Sequence, residues 1–247
     1  MVILNFMNLN DSLVFLPELS VFFPAYNEEA HIKETIEKAF EVLPKVAKKF
    51  EVLVINDGSK DRTGEVVSGL KKKYKELRMI THNPNGGYGE ALKTGFYNSK
   101  YDWITFTDAD GQFDFGELQM LIIKQQETDA DLVIGYYLKR AVSLRRKLNT
   151  WIWQMVVWML FGLNVKDIDC GFKLINKKVI EKIPKLESGR GAFVSSEFLI
   201  KAQKYGFKIV EVGVHHYPRL AGKGTGADLN VIINSFVDLF KLWWKLR

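Results

Sequence analysis

A chain of 247 residues with 47% hydrophobic and 26% charged content is long enough to bury one large α/β core and too apolar to be a disordered segment. Its single cysteine, Cys170, excludes an intramolecular disulfide and any Cys-x-x-Cys metal site. Lys and Arg exceed Asp and Glu by 35 − 29 = 6, which is compatible with nucleic acid, an anionic membrane or phosphorylated substrates and selects none of them.

Residues 1–17 have no clear period and read as an N-terminal extension. Short runs rich in Val, Ile and Phe at 19–23, 52–56, 78–82 and 103–107 end in polar or glycine-containing turns, as strands buried in a parallel sheet do. Between them, 29–50, 61–76 and 88–99 repeat apolar residues every three or four positions, which predicts helices. A helix over 116–128 and a strand over 131–137 follow. Strand alternating with helix predicts a Rossmann-like α/β fold with a mostly parallel central sheet and right-handed crossovers.

The second half is less regular. Residues 139–147 hold five basic residues in nine and run into a mostly apolar 148–165 that contains Trp151, Trp153 and Trp158. The chain ends in a predicted amphipathic helix from about 228, with Leu229, Ile232, Ile233, Phe236, Phe240 and Trp243 on one stripe. No basic n-region precedes an apolar run, and no stretch of eighteen residues lacks polar groups, so neither a secretory signal nor a transmembrane helix is expected. Nothing divides 18–225, which reads as one domain, with 226–247 as a C-terminal helix.

In a parallel sheet, ligands bind beyond the carboxyl ends of the strands. Three polar clusters fall there: Pro24-Ala-Tyr-Asn-Glu28, Asp57-Gly-Ser59 and Asp108-Ala-Asp110. Asp108 and Asp110, two residues apart on a turn, can converge on one hard cation, and oxygen ligands suit Mg²⁺ or Mn²⁺. An isolated Asp-x-Asp is more often a pair of solvated turn carboxylates; its place at a strand end argues for the metal. Asp57 could accept from a base or ribose, or form the turn alone. Tyr26 could face a base or pack in the core. The Asn85-Gly-Gly-Tyr-Gly-Glu-Ala segment enters a helix, where ligand groups can approach backbone amides, but it lacks the lysine-serine ending of a P-loop. His31 reads as solvent-facing, and Cys170 as a small buried residue.

Six segments in order resemble the family 2 inverting glycosyltransferases with the A-type fold, and within them the polyprenyl (dolichyl) phosphate mannose or glucose synthases. They are Pro-Ala-Tyr-Asn-Glu, Val-Ile-Asn-Asp-Gly-Ser, Asn-Gly-Gly-Tyr-Gly-Glu-Ala-Leu, Asp-Ala-Asp-Gly-Gln, Asp169-Cys-Gly-Phe-Lys-Leu174 and His216-Tyr-Pro-Arg-Leu-Ala-Gly222. The resemblance implies that 18–225 is the catalytic domain. Pro24, Tyr26, Glu28 and Asp57 would hold the nucleoside of a GDP- or UDP-hexose. Asp108, Asp110 and Gln112 would surround the metal and diphosphate, and Arg219 would engage phosphate. Asp169 lies in the segment that approaches the sugar, and Glu197 is assigned no general-base role; a sugar-hydroxyl acceptor would instead need a base, with Asp169 and Glu197 as the candidates. Where relatives carry Gly-Ser-Arg this chain has Gly135-Tyr136-Tyr137, so an acceptor-side arginine would come from Arg140, Arg145 or Arg146. Gly213 occupies a place where proline is common.

A phosphate monoester is largely dianionic at neutral pH and needs no strong base to act as nucleophile. A polyprenyl phosphate acceptor is therefore favoured, with the enzyme held peripherally on the cytoplasmic face of a membrane. The basic run and the tryptophans after it suit an anionic interface. The alternatives are a saccharide or other lipid acceptor, or nucleotide-sugar binding without turnover. The basic cluster is local and no nucleic-acid-binding motif accompanies it, so a nucleic-acid partner is not expected.

Overall fold

The computed structural model describes residues 15–138, 144–189, 191, 193–218 and 229–247, leaving aside the side chains of 144–147 and 229–233. Strands β1 (Leu16–Ala25), β2 (Ala47–Asn56), β3 (Leu77–Thr81), β4 (Trp103–Phe106), β5 (Leu132–Tyr137), β6 (Lys173–Asn176) and β7 (Ile209–Val214) form one sheet in the order β3-β2-β1-β4-β6-β5-β7. Every pairing is parallel except those of β6, which runs antiparallel to both β4 and β5. Around the sheet lie α1 (Ile32–Val42), α2 (Thr63–Leu70), α3 (Tyr88–Asn98), α4 (Leu118–Thr128), α5 (Leu144–Phe161), α6 (Lys177–Lys182), α7 (Phe193–Lys204) and α8 (Leu229–Lys245).

The central strands are apolar on both sides because both sides are covered. On one face Val21, Phe23, Val52 and Val54 meet Ile36 of α1 and Leu121 of α4. On the other, Phe22, Leu53 and Ile55 meet Leu92 and Phe96 of α3 and Phe198 of α7. The Phe22 ring lies 5.2 Å from Phe96 and 5.0 Å from Phe106. Gly95 makes that approach possible, since a Cβ there would sit 2.3 Å from the Phe22 ring.

The helix expected over 29–50 stops at Val42. A 3₁₀ turn, Leu43–Lys45, follows with Pro44 inside it, and Ala47 already pairs with Leu16. Pro44 has no amide to continue the ladder, and cross-strand pairing overrides the helical period of Lys48 and Lys49. β1 correspondingly begins at Leu16, within the expected extension. α5 starts before 148 and ends at Phe161, where Gly162 takes a left-handed φ of 70°. β6, α6 and β7 have no counterpart in the periodicity; β6 begins with a buried lysine, Lys173.

β1 has β2 on one side and β4 on the other, so the crossovers leave in opposite directions and a crevice opens at the carboxyl ends of these strands. The candidate site sits there.

Candidate active site

The turns leaving β1 and β2 are knitted together. Asn27, at a left-handed φ of 56°, accepts from the Lys60 amide at 2.8 Å and donates its own amide to Ser59 Oγ at 3.0 Å. The Glu28 amide donates to Thr63 Oγ1 at 2.9 Å, and the Glu29 carboxylate accepts from the Arg62 amide at 2.9 Å. Asp61 accepts from the Glu29 amide and from both the amide and the hydroxyl of Thr63. Partial burial works to raise the Asp61 pKa, but these hydrogen bonds outweigh it and hold the carboxyl below its ordinary value. Pro24 is buried in β1, and Tyr26 stands exposed at the rim.

Asp57 is a hub. Its Oδ1 lies 2.6 Å from His82 Nδ1 and accepts from the Gly86 amide at 2.8 Å; its Oδ2 accepts from Asn85 Nδ2 and the Gly87 amide, each at 2.8 Å. This buried carboxylate, expected to face a nucleoside, also accepts through both oxygens from the glycine loop that opens α3. Behind that loop, the Glu90 amide in the first turn of α3 donates to Gly189 O at 3.0 Å.

The loop that carries Gly189 is fixed by Glu197. Glu197 accepts from the Glu187 amide at 2.8 Å, from the Ser188 amide and hydroxyl, and from Lys201 Nζ at 2.5 Å. Both members of the Glu197–Lys201 pair are 1% exposed. Burial opposes ionisation of Glu197, yet the bonds from Lys201 and Ser188 hold its pKa below the ordinary value. The geometry makes it a structural anchor of the Gly189 loop.

At the end of β4, Tyr88 Oη donates to Asp108 Oδ1 at 3.0 Å. Burial and then the charge of Asp108 push the tyrosine hydroxyl well above its usual pKa, so it keeps the proton it donates. The other Asp108 oxygen rests against Gly171, where a Cβ would come within 3.0 Å of it. Asp110 is buried and accepts from the Gln112 amide at 3.1 Å. The Gln112 side-chain nitrogen donates to the Tyr217 carbonyl at 2.8 Å. Asp169 lies on the neighbouring turn, its amide bonded to Asp167 Oδ1 at 3.0 Å. Lys173 Nζ, fully buried, donates to the carbonyls of Ile168 and Cys170 and so holds this turn from beneath. Among the described residues, no three His, Cys, Asp or Glu side chains assemble as a metal site by themselves.

Arg140 and Arg219 lie outside the described residues. Arg145 and Arg146 fall on the first turn of α5, with side chains outside them. Tyr137 packs its ring 4.5 Å from His216 and 6.1 Å from Phe113. His31 departs from expectation: its Nε2 is buried and has no hydrogen-bond partner among the described residues. Burial pushes the Cys170 thiol up to about 12, which suits a packing residue.

Away from the crevice, α5 and α8 share a seam. Trp153 packs 5.1 Å from Phe236, and Leu239 and Leu242 are buried. Their outward faces are apolar: Trp151, Met155, Trp158 and Met159 on α5, with Val237, Phe240 and Trp244 on α8, are all exposed. Phe236 and Phe240, placed on one stripe by the sequence pattern, thus point to different surroundings. Among the described residues, no helix is long and apolar enough to cross a membrane.

This sheet, with its crevice and Asp-x-Asp turn, defines an A-type glycosyltransferase fold. Glucosyl-3-phosphoglycerate synthase from Mycobacterium tuberculosis, solved in complex with Mn²⁺, UDP and glucosyl-3-phosphoglycerate, superposes with a TM-score of 0.70 at 18% identity, over 92% of this chain and 80% of that one. The family described as Glycosyl transferase family 2 matches residues 20–184. Dolichyl-phosphate beta-glucosyltransferase of Dictyostelium discoideum is 32% identical over 215 residues, 80% of this chain and 65% of that protein. The Homo sapiens dolichyl-phosphate beta-glucosyltransferase is 30% identical over 217 residues, 80% of this chain and 67% of its own length. The chain thus spans about two thirds of the length of these relatives. It belongs to glycosyl transferase family 2.

Proposed function

We propose that the chain transfers a hexose from a UDP- or GDP-sugar to a polyprenyl phosphate at the cytoplasmic face of a membrane, with inversion at the anomeric carbon. The observation that carries this reading is the Asp108–Asp110 turn at the β1/β4 crevice, in a family 2 chain whose relatives include dolichyl-phosphate glucosyltransferases. Asp108 and Asp110 offer hard oxygen donors of the kind Mg²⁺ and Mn²⁺ take together with substrate phosphates. Such an ion would offset charge gathering on the departing nucleoside diphosphate.

The protein's own part is placement. Tyr88 orients one oxygen of Asp108, and Gly171 leaves room for the other. Asp57 holds the glycine loop in shape, while Pro24, Tyr26 and Glu28 frame the nucleoside. Asp169 faces the sugar. Arg219, with Arg140, Arg145 or Arg146, draws the acceptor phosphate in. An oxygen of that phosphate forms the new bond to the anomeric carbon as the bond to the diphosphate breaks on the opposite face. The acceptor arrives already ionised, so positioning and electrostatics suffice. The exposed aromatic faces of α5 and α8, on a chain of net charge +6, suit an anionic bilayer.

The test is transfer of labelled sugar from UDP-glucose, GDP-mannose or UDP-N-acetylglucosamine into an organic-extractable product, with polyprenyl phosphate and Mg²⁺ or Mn²⁺. Metal-dependent lipid product that is lost in Asp110→Ala supports the reading. Transfer to saccharides, or donor hydrolysis alone, overturns the lipid acceptor; near-normal turnover in Asp110→Ala overturns the metal site.

A further inference from the structure

The turn that begins at Asp108 runs on past Gln112 and pairs with the segment leaving β7. The Tyr217 amide donates to the Gln112 carbonyl at 2.8 Å, Gln112 Nε2 donates to the Tyr217 carbonyl at 2.8 Å, and Phe113 forms an antiparallel bridge with His216. Glu117 closes the far end. It accepts from the His215 amide at 2.8 Å, and its other oxygen lies 2.5 Å from His215 Nδ1.

Glu117 is 9% exposed, and a carboxylate taken out of water destabilises the fold unless hydrogen bonds offset the loss. Its place just before α4 favours negative charge. Yet it makes no capping bond to that helix; both oxygens go to a residue 98 positions away. The clamped stretch, 215–217, leads through Pro218 directly into Arg219.

We propose that Glu117 is a positioning residue for the transfer. Through His215 it holds the segment leading to Arg219 in register with the Asp108–Gln112 turn, so that the acceptor side and the donor side are built as one unit. This deepens the function proposed above and rests on it for the identity of the acceptor. Misplacement by about 1 Å can cost about a hundredfold in rate, so a loosened clamp has a large readable effect.

The experiment compares the wild-type chain with Glu117→Ala, Glu117→Gln and His215→Ala, following hydrogen–deuterium exchange over 213–218, UDP and GDP affinity, and kinetics with polyprenyl phosphate. Glu117→Ala and His215→Ala should speed exchange there and raise KM for the acceptor about tenfold or more, leaving nucleotide affinity unchanged. Glu117→Gln, which keeps an acceptor oxygen for the His215 amide, should recover part of the loss. If Glu117→Ala does not fold, His215→Ala decides, because it removes only the ring half of the clamp. Wild-type exchange and wild-type acceptor KM in these variants overturn the proposal. So does a fall in donor binding and turnover in equal proportion, which is the mark of a merely structural carboxylate. A wild-type chain inert towards polyprenyl phosphate overturns the acceptor assignment instead, and exchange at 213–218 then decides the clamp.

Discussion

Two parts of the molecule fix their loops by different chemistry. At the ends of β1 and β2, short polar side chains reach across to a neighbouring backbone, Asn27 to Lys60 and Glu29 to Arg62, mostly in contact with water. Elsewhere, buried ionisable groups do this: Lys173 under the Asp169 turn, Glu197 with Lys201 behind the Gly189 loop, and Glu117 on His215. The first kind of tie is cheap to make and cheap to lose. The second is stable only while every partner is present, because a charge left alone inside the protein has no water to return to. Asp57 belongs by position to the first region and by burial to the second.

The contrast can be broken most sharply at Glu197. Glu197→Ala strands Lys201, and urea denaturation should report a loss of about 3–5 kcal/mol. Adding Lys201→Met should recover part of it; no recovery would mean that the loop bonds, and not the buried charge, carry the cost. Asp57→Ala comes next, at about 3 kcal/mol, since the Gly86 and Gly87 amides lose their acceptor together. The same variant should weaken nucleotide binding by opening the glycine loop, which isothermal titration would detect. The smallest effect belongs to Asp61. Its folded pKa lies below 3.8, so the stability it adds is present at neutral pH and is lost as pH falls from about 3.8 through the lower folded value. The stabilities of wild type and Asp61→Asn should therefore differ at pH 7 and converge in strong acid. A constant difference across that range would remove ionisation from the account.

The same contrast explains what could be read from the sequence. Ties of the first kind lie in short motifs at strand ends, so Asp57, Asp108 and Asp110 stood out, and parallel strands announced themselves as apolar runs. Even there the motif conveyed less than the structure holds, since nothing in Asn-Asp-Gly-Ser says that Asp57 also bonds a loop 28 to 30 residues away. Ties of the second kind join residues with no common local pattern. Glu117 and His215 are 98 apart, and β6 has no counterpart in the periodicity, since it opens on Lys173, whose side-chain nitrogen is buried against the Ile168 and Cys170 carbonyls. The helix predicted through Lys48 and Lys49 failed for a related reason, because the partner that turns those residues into a strand is β1, some thirty residues upstream.

The strand order also has a temporal side. β1 to β4 pair only among themselves until β6 arrives, so the half that carries Asp57 and Asp108 can assemble as the chain emerges. β5 has no such neighbour. Its partners are residues 173–176 and 209–214, so for at least thirty-five residues of synthesis it waits with both edges open. A nascent chain halted in that interval would present Leu132–Tyr137 as a naked, apolar strand. The Asp169 turn, which lies just ahead of β6, takes its place only as that strand is finally enclosed.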